Sequence, residues 1–173
     1  EVLTNNFVLN LTTMKNILVP TDFSPQAENA LKVAVDMAKT FDGKVVLFNV
    51  VDAPGGGNFS SSAQAASGNA MDDIFTFKLI EKMKADLADM VEPYGDDANI
   101  ATEMALGDLV EMVNERIALD EIDIVIMGTK GSDGMQEVMV GSNAEKVVRT
   151  AHCPVLTIKS NYIGAHPNNI VFA

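Results

Sequence analysis

The sequence predicts an α/β protein: an open, doubly wound parallel sheet of five strands in the order 3-2-1-4-5, with four helices. Three observations predict it. Short, nearly continuous apolar blocks alternate with longer segments whose apolar residues recur at helical spacing. Those blocks lack the in-and-out alternation of a half-exposed strand, so both faces of the sheet are expected to be covered. Turn residues such as Pro20, Gly43, Pro93 and Gly128 stand at the ends of the segments.

The first strand is expected at residues 15–20, where Ile17, Leu18 and Val19 run into Pro20, Thr21 and Asp22. Ser24 followed by Pro25 supplies an N-cap and a first helical residue with its φ already set. Ala27, Ala30, Leu31, Ala34, Val35 and Ala38 then repeat at helical spacing until Asp42 and Gly43. Val45 to Val51 is rich in β-branched and aromatic residues and reads as a central strand. Residues 52–70, with Gly55, Gly56 and Gly57, carry neither period and read as a long loop. Ile74, Phe77, Ile80, Met83, Leu87 and Met90 mark an amphipathic helix over residues 71–91, ended by Pro93 and Gly95. A weaker strand follows at 98–104, a helix through Leu109, Val110, Val113 and Ile117, and an apolar strand from 122 to 127 running into Gly128. A helix over 142–151 and a strand at 155–158 complete the alternation.

Composition narrows the function. The 173 residues carry 12 Lys+Arg against 24 Asp+Glu, a net charge of −12, which repels phosphate backbones and anionic headgroups. Nucleic acid and membrane surfaces are therefore not expected as main partners. No apolar stretch reaches the roughly 18 to 20 residues of a membrane helix, because Asn49 and Asp52 interrupt the richest run. A single cysteine, Cys153, excludes an internal disulfide, and with only His152 and His166 there is no His/Cys metal cage. A reducing, cytoplasmic setting fits this pattern. Residues 1–13 lack the basic start and cleavage site of a signal peptide and read as an N-terminal extension, with Met14 near the natural start of a domain spanning 14–159. Asn168-Asn169-Ile170-Val171-Phe172 echoes Lys15-Asn16-Ile17-Leu18-Val19, so the tail at 160–173 reads either as the first strand of a second copy or as a chance likeness.

The informative segment is Gly128-Thr129-Lys130-Gly131, nine residues, then Gly141-Ser142-Asn143. Gly128 closes a strand. Gly141 to Asn143 open a helix, where unpaired N–H groups and the helix dipole favour an anion. Neither G-x-x-x-x-G-K-[ST] nor G-x-G-x-x-G occurs, which excludes a P-loop and the usual dinucleotide turn. In an open α/β sheet ligands bind outside the carboxyl ends of strands where the strand order reverses, here strands 1 and 4. Those ends carry Pro20-Thr21-Asp22 and Met127-Gly128. A carboxylate beside a glycine-lined anion cradle suits a nucleotide, with Asp22 toward the base or ribose. Against this stand a plain turn for the glycines and an Asx turn for Asp22.

Pro20-Thr21-Asp22-Phe23-Ser24, the G-x2-G-x9-G-S spacing from Gly128, and Glu145-Lys146-Val147-Val148-Arg149 through His152-Cys153-Pro154-Val155-Leu156 resemble the universal stress protein family over residues 14–159. The resemblance implies a cytoplasmic five-stranded α/β protein, a homodimer through the last strand and, in members with this glycine motif, ATP binding. By motif position it implies that Asp22 and the Val45 backbone meet adenine and that Met127 and Gly128 meet the ribose and phosphate region. Gly131, Gly141, Ser142 and Asn143 would meet the phosphates. Leu109 stands where the family often has proline, and the loop at Gly55 to Asn69 is long for it. The family also includes tandem proteins.

The expected function is thus an ATP-binding module (or one for ADP or AMP) in stress signalling, with Mg²⁺ carried by the nucleotide and at most slow hydrolysis. The alternative is a nucleotide-free dimeric scaffold or partner-binding protein. Cys153 reads as a small core filler, Asp72-Asp73 and Asp96-Asp97 as solvated surface, and the ten methionines as gap fillers. No catalytic or metal-ligating residue is expected, since no G-x-S-x-G elbow and no adenylate-forming signature occurs.

Overall fold

A computed structural model describes residues 15–51, 70–95, 98–129 and 141–158. Within them lie β1 (Asn16–Thr21), α1 (Pro25–Phe41), β2 (Lys44–Val51), α2 (Ala70–Val91), β3 (Ile100–Leu106), α3 (Leu109–Leu119), β4 (Ile124–Gly128), α4 (Ser142–Thr150) and β5 (Val155–Ile158). The strands form one sheet in the order β3-β2-β1-β4-β5, every neighbouring pair parallel. This is the predicted topology. The expected central strand proves to be interior but off-centre, because β1 holds the middle position.

Alternate residues of a strand point to opposite faces, and this splits the core in two. Ile17, Val19, Val45, Leu47, Ile124 and Ile126 pack with Ala30, Leu31 and Ala34 of α1 and Leu87 of α2. Leu18, Val46, Phe48, Val125 and Met127 face α3 and α4 through Val113, Ile117, Ala144 and Val147. Helices on both faces explain why the strands are apolar almost without interruption.

Local chemistry sets the ends. Ser24 is extended and its hydroxyl oxygen accepts from the Ala27 N–H at 3.3 Å, with Pro25 next in the chain. Asp42 terminates α1 in the left-handed region at φ 54°. A Cβ on Gly43 would sit 2.9 Å from the Lys15 carbonyl oxygen, so glycine lets β2 begin flush against β1. Asp108 caps α3 by accepting from the N–H groups of Val110 and Glu111 at 2.9 and 3.0 Å.

Two strands begin two residues later than expected. β3 begins at Ile100 rather than residue 98; it is an edge strand without a fully buried residue, and its register is set by pairing Ile100 with Val45. β4 begins at Ile124 because Asp123 turns its carboxylate onto the N–H groups of Lys15 and Asn16, at 2.8 and 2.9 Å. The expected N-terminal extension, residues 52–69 of the expected loop and the tail with its internal echo lie outside the described residues, as do Asp96 and Asp97, while Ala70, expected in that loop, begins α2.

Candidate functional site at the carboxyl edge of the sheet

Because all five strands run the same way, their carboxyl ends share one edge. At this edge β1 and β4 part company. Their pairing covers only Ile17 with Ile124 and Leu18 with Val125, whereas the β1–β2 pairing continues to Thr21 opposite Asn49. Pro20 supplies the reason. The Lys15 carbonyl accepts from Lys44 of β2 and the Asn16 carbonyl from Asp123 ahead of β4, so even-numbered residues of β1 turn their backbone groups toward β4. Proline at position 20 has no N–H to offer there. The two strands part where the strand order reverses, the place where ligands bind in open α/β sheets.

From β1 this edge receives Thr21 and Asp22. Thr21 is buried; its hydroxyl accepts from the Phe23 N–H at 3.0 Å and donates to the Met90 sulfur at 3.4 Å. Asp22 is exposed, and one carboxylate oxygen accepts from the Ser24 N–H at 3.0 Å. The Asx turn therefore exists, and it leaves the second oxygen without a hydrogen bond from the described residues. Between these turns Phe23 is held at φ 62°, a conformation that L-residues adopt at a cost.

From β4 come Met127, Gly128 and Thr129. Met127 is 5% exposed and its side chain belongs to the core, so only its backbone reaches the edge. A Cβ on Gly128 would stand 2.6 Å from the Gln26 carbonyl carbon, so glycine here seats the first turn of α1 directly on β4. Thr129 donates its N–H and its hydroxyl to the Ile158 carbonyl at 2.9 and 3.3 Å, fastening β5.

The start of α4 lies at the same edge, because the chain leaves β4 there and must return to the opposite edge, where the Pro154 carbonyl meets the Val125 N–H. Gly141 is the N-cap, with no side-chain hydrogen bond, and Ser142 and Asn143 are exposed. The first N–H groups of α4 thus have no side-chain cap, and the helix dipole gives them a partial positive charge. Lys130 and Gly131 lie outside the described residues.

One predicted residue is not brought to this place. Val45 lies at the amino end of β2, paired with Ile17 and Ile100, and its N–H bonds the Asn99 carbonyl at 2.9 Å. It is four residues before Asn49, roughly 13 Å along the strand. The valines of β2 look alike in sequence and do not mark which one ends the strand; at the edge stand Asn49, Val50 and Val51 instead.

Asn49 is the residue that sequence reading passed over. Only 4% exposed, it donates from Nδ2 to the Thr21 carbonyl at 2.9 Å, while its Oδ1 has no donor among the described residues. The signal was present: a lone amide inside a buried apolar strand needs partners.

The opposite, amino edge holds a pocket of about 240 Å³ lined by Lys39, Asp42, Val45, Asn99 and Ile100 among others. It is smaller than the roughly 300–1,000 Å³ of ordinary small-molecule sites. Cys153 is half-buried against the α3/α4 face, and burial pushes its thiol up to about 11, with the Asp123 carboxylate adding to the effect and a hydrogen bond with the Val125 backbone opposing it. Among the described residues no group of three or more His, Cys, Asp or Glu could hold a metal, and no helix is long and apolar enough to cross a membrane.

Fold and edge together define a doubly wound α/β domain whose β1 and β4 part at its topological switch point. Comparison with known proteins names the kind. The chain belongs to the universal stress protein family, whose profile matches residues 13–159. It is 33% identical over 145 residues to the universal stress protein MJ0531 of Methanocaldococcus jannaschii, covering 84% of this chain and 82% of that one. The solved structure of the hypothetical protein MJ0577 is similar with a TM-score of 0.67 and 26% identity, over 87% of this chain and 99% of that one. A universal stress protein from Archaeoglobus fulgidus, solved in complex with dAMP, shares the fold with a TM-score of 0.54 and 20% identity, over 84% and 98% of the two chains.

Proposed function

We propose that this chain is an adenine-nucleotide-binding module that takes ATP at the carboxyl edge of β1 and β4 and serves stress signalling in the cytoplasm. The observation that carries the reading is the end of the β1–β4 pairing at Leu18 and Val125, at the edge that also carries Asp22 and the start of α4. Asp22 offers a carboxylate oxygen to the ribose hydroxyls or the base, and β2 contributes Asn49 to Val51 in place of Val45. The backbone at Met127 and Gly128 meets the ribose and first phosphate. Gly131, Gly141, Ser142 and Asn143 meet the phosphates through main-chain and side-chain donors. In a chain of net charge −12 the triphosphate needs a further counter-charge, which Mg²⁺ arriving with the nucleotide supplies. A fold relative solved with dAMP supports the ligand class.

We assign no catalytic residue; any hydrolysis is slow. The homodimer forms through β5, which occupies one edge of the sheet with all four residues half-buried. A nucleotide-free dimeric scaffold is the second reading, favoured by Gly128, whose packing on Gln26 explains that glycine without a ligand. Acid extraction with mass spectrometry, and calorimetric titration with Mg²⁺–ATP, separate the two. Adenine nucleotide in the extract or saturable one-to-one binding supports the module. Absence of both at millimolar ATP leaves the scaffold.

A further inference from the structure

We propose that residues 3–11, which lie outside the described residues, dock on this domain: residues 3–9 add a sixth strand, antiparallel to β3, and Leu11 enters the pocket at the amino edge. Among the described residues two features have no occupant. The first is the outer edge of β3. The Val45 N–H bonds the Asn99 carbonyl at 2.9 Å and the Gly107 N–H bonds the Val51 carbonyl at 3.0 Å, so the odd-numbered residues of β3 turn their backbone groups toward β2. Thr102, Met104 and Leu106 therefore aim N–H and C=O away from the sheet, and among the described residues β3 pairs with β2 alone. Natural proteins blunt such an edge with proline, lysine or charge. Ile100–Leu106 has no proline or lysine, and its one charged residue, Glu103, is ion-paired with Arg116 of α3. Leu106 is 37% exposed.

The second feature is the pocket of about 240 Å³, whose apolar lining is Val35, Ala38, Val45, Ala98 and Ile100. It lies on the α1 face of the sheet, where Ile100 and Met104 also point. Gly43, which lines it too, sits against Lys15, whose carbonyl accepts from the Lys44 N–H at 2.6 Å, so the chain that enters Lys15 passes the pocket.

The chemistry of the preceding residues fits both features. Residues 2–14 carry no charged side chain, and Phe7, Leu9 and Leu11 alternate with Asn6, Val8, Asn10 and Thr12, of which only Val8 is apolar. That is the period of a strand with one covered face. Paired with β3, Phe7 and Leu9 share the α1 face with Ile100, and Leu11 follows them to the pocket. Leu9 stands six residues before Lys15, up to about 20 Å of extended chain, whereas the outer side of β3 is three strand spacings from β1, roughly 14 Å. Because Lys15 stands at the amino edge, a segment leading into it follows β3 in the antiparallel sense. Other occupants fit less well. A second copy would bring another net charge of −12 to the same edge. The tail after Ile158 leaves β5 at the far side of the sheet and at the carboxyl edge, away from the pocket.

The test is amide hydrogen exchange with nuclear Overhauser spectroscopy on the isotope-labelled full chain, as wild type and as Phe7→Pro. In wild type the Thr102, Met104 and Leu106 amides should exchange on the order of tenfold or more slower than in an unstructured peptide, and the Leu11 methyl groups should show Overhauser effects to Val35 and Ile100. The pairing aims the Phe7 N–H at β3, so Phe7→Pro should restore fast exchange at these amides, while those of Ala101, Glu103 and Ala105, bonded to β2, keep their protection. Fast exchange of the three amides in wild type, or protection that Phe7→Pro leaves intact, overturns the proposal. Protection that grows with protein concentration also overturns it, placing a second copy on the edge. Overhauser effects from Ile170, Val171 or Phe172 to β3 do the same, giving the edge to the tail.

Discussion

Leu18 of β1 and Val125 of β4 are the last pair on which those strands meet, although β1 runs on beside β2 until Thr21 faces Asn49. The asymmetry traces to Pro20, whose missing N–H would have pointed toward β4. One imino acid in the middle strand of the sheet thereby sets where β1 and β4 part, while the other side of β1 stays paired as far as Thr21.

Pro20→Ala should therefore lengthen the β1–β4 ladder. The new hydrogen bond contributes about 0.5–1.5 kcal/mol, and the added freedom of the unfolded chain offsets about 0.4–1 kcal/mol of it. Stability should change little, the amide introduced at position 20 should be protected from hydrogen exchange, and ATP affinity should fall. Rapid exchange at that amide would show that the strands part for another reason.

Gly128→Ala should destabilise the fold by about 1–3 kcal/mol, because the added methyl meets the Gln26 backbone, which anchors the first turn of α1 and has no rotamer to relieve the clash. Urea unfolding measures this directly. A neutral result would mean that α1 shifts at no cost.

Asp22 has one role in the Asx turn and a second in the proposed nucleotide site, and substitution can separate them. Asp22→Asn keeps an oxygen for the Ser24 N–H, so stability should hold while nucleotide affinity drops on the order of tenfold through loss of the charged acceptor. Asp22→Ala should lose affinity and, in addition, about 1 kcal/mol of stability with the turn. Thermal unfolding and calorimetry on both variants read the two effects apart.

Cys153 should make the fold sensitive to alkali. Burial raises its thiol to about 11 in the folded chain, against about 8.5 when unfolded. Between those values the native state retains a proton that the unfolded state has lost. The stabilisation is complete below the unfolded pKa and disappears as pH climbs through the folded one. Tyr94, raised by burial and by the Asp36 and Glu28 carboxylates, adds to the same trend. Urea midpoints measured from pH 8 upward should fall, and less steeply in Cys153→Ala. At neutral pH the protonated thiol should react slowly with iodoacetamide.

The fold was legible because its signals are local. Ser24-Pro25 announces α1, and continuous apolar blocks announce strands covered on both faces. β3 was misplaced by two residues because an edge strand buries little and takes its register from β2, which the sequence cannot display. Of the candidate site, the positions legible in sequence are those where a residue type forces a backbone choice, as at Pro20, Asp22 and Gly141. Val45 was misassigned because one valine in an apolar run resembles the next, and only the pairing with β1 says which end of the strand it occupies. The packing of Gly128 on Gln26 joins residues far apart in the chain, so a glycine read from sequence as a ligand contact proves to be a packing device. Asn49 carried the opposite lesson: its interruption of an apolar run served to argue against a membrane helix, when it also marked a buried amide at the carboxyl edge of the sheet.

The central claim, that adenine nucleotide occupies the carboxyl edge between β1 and β4, is tested most directly by backbone amide shifts during titration of the isotope-labelled chain with Mg²⁺–ATP. The account predicts the largest changes at Asp22, Phe23, Ser142, Asn143 and Ala144, with Lys39, Asp42 and Asn99 at the far edge unmoved. Saturable changes confined to Lys39, Asp42 and Asn99, or none at all, would contradict it.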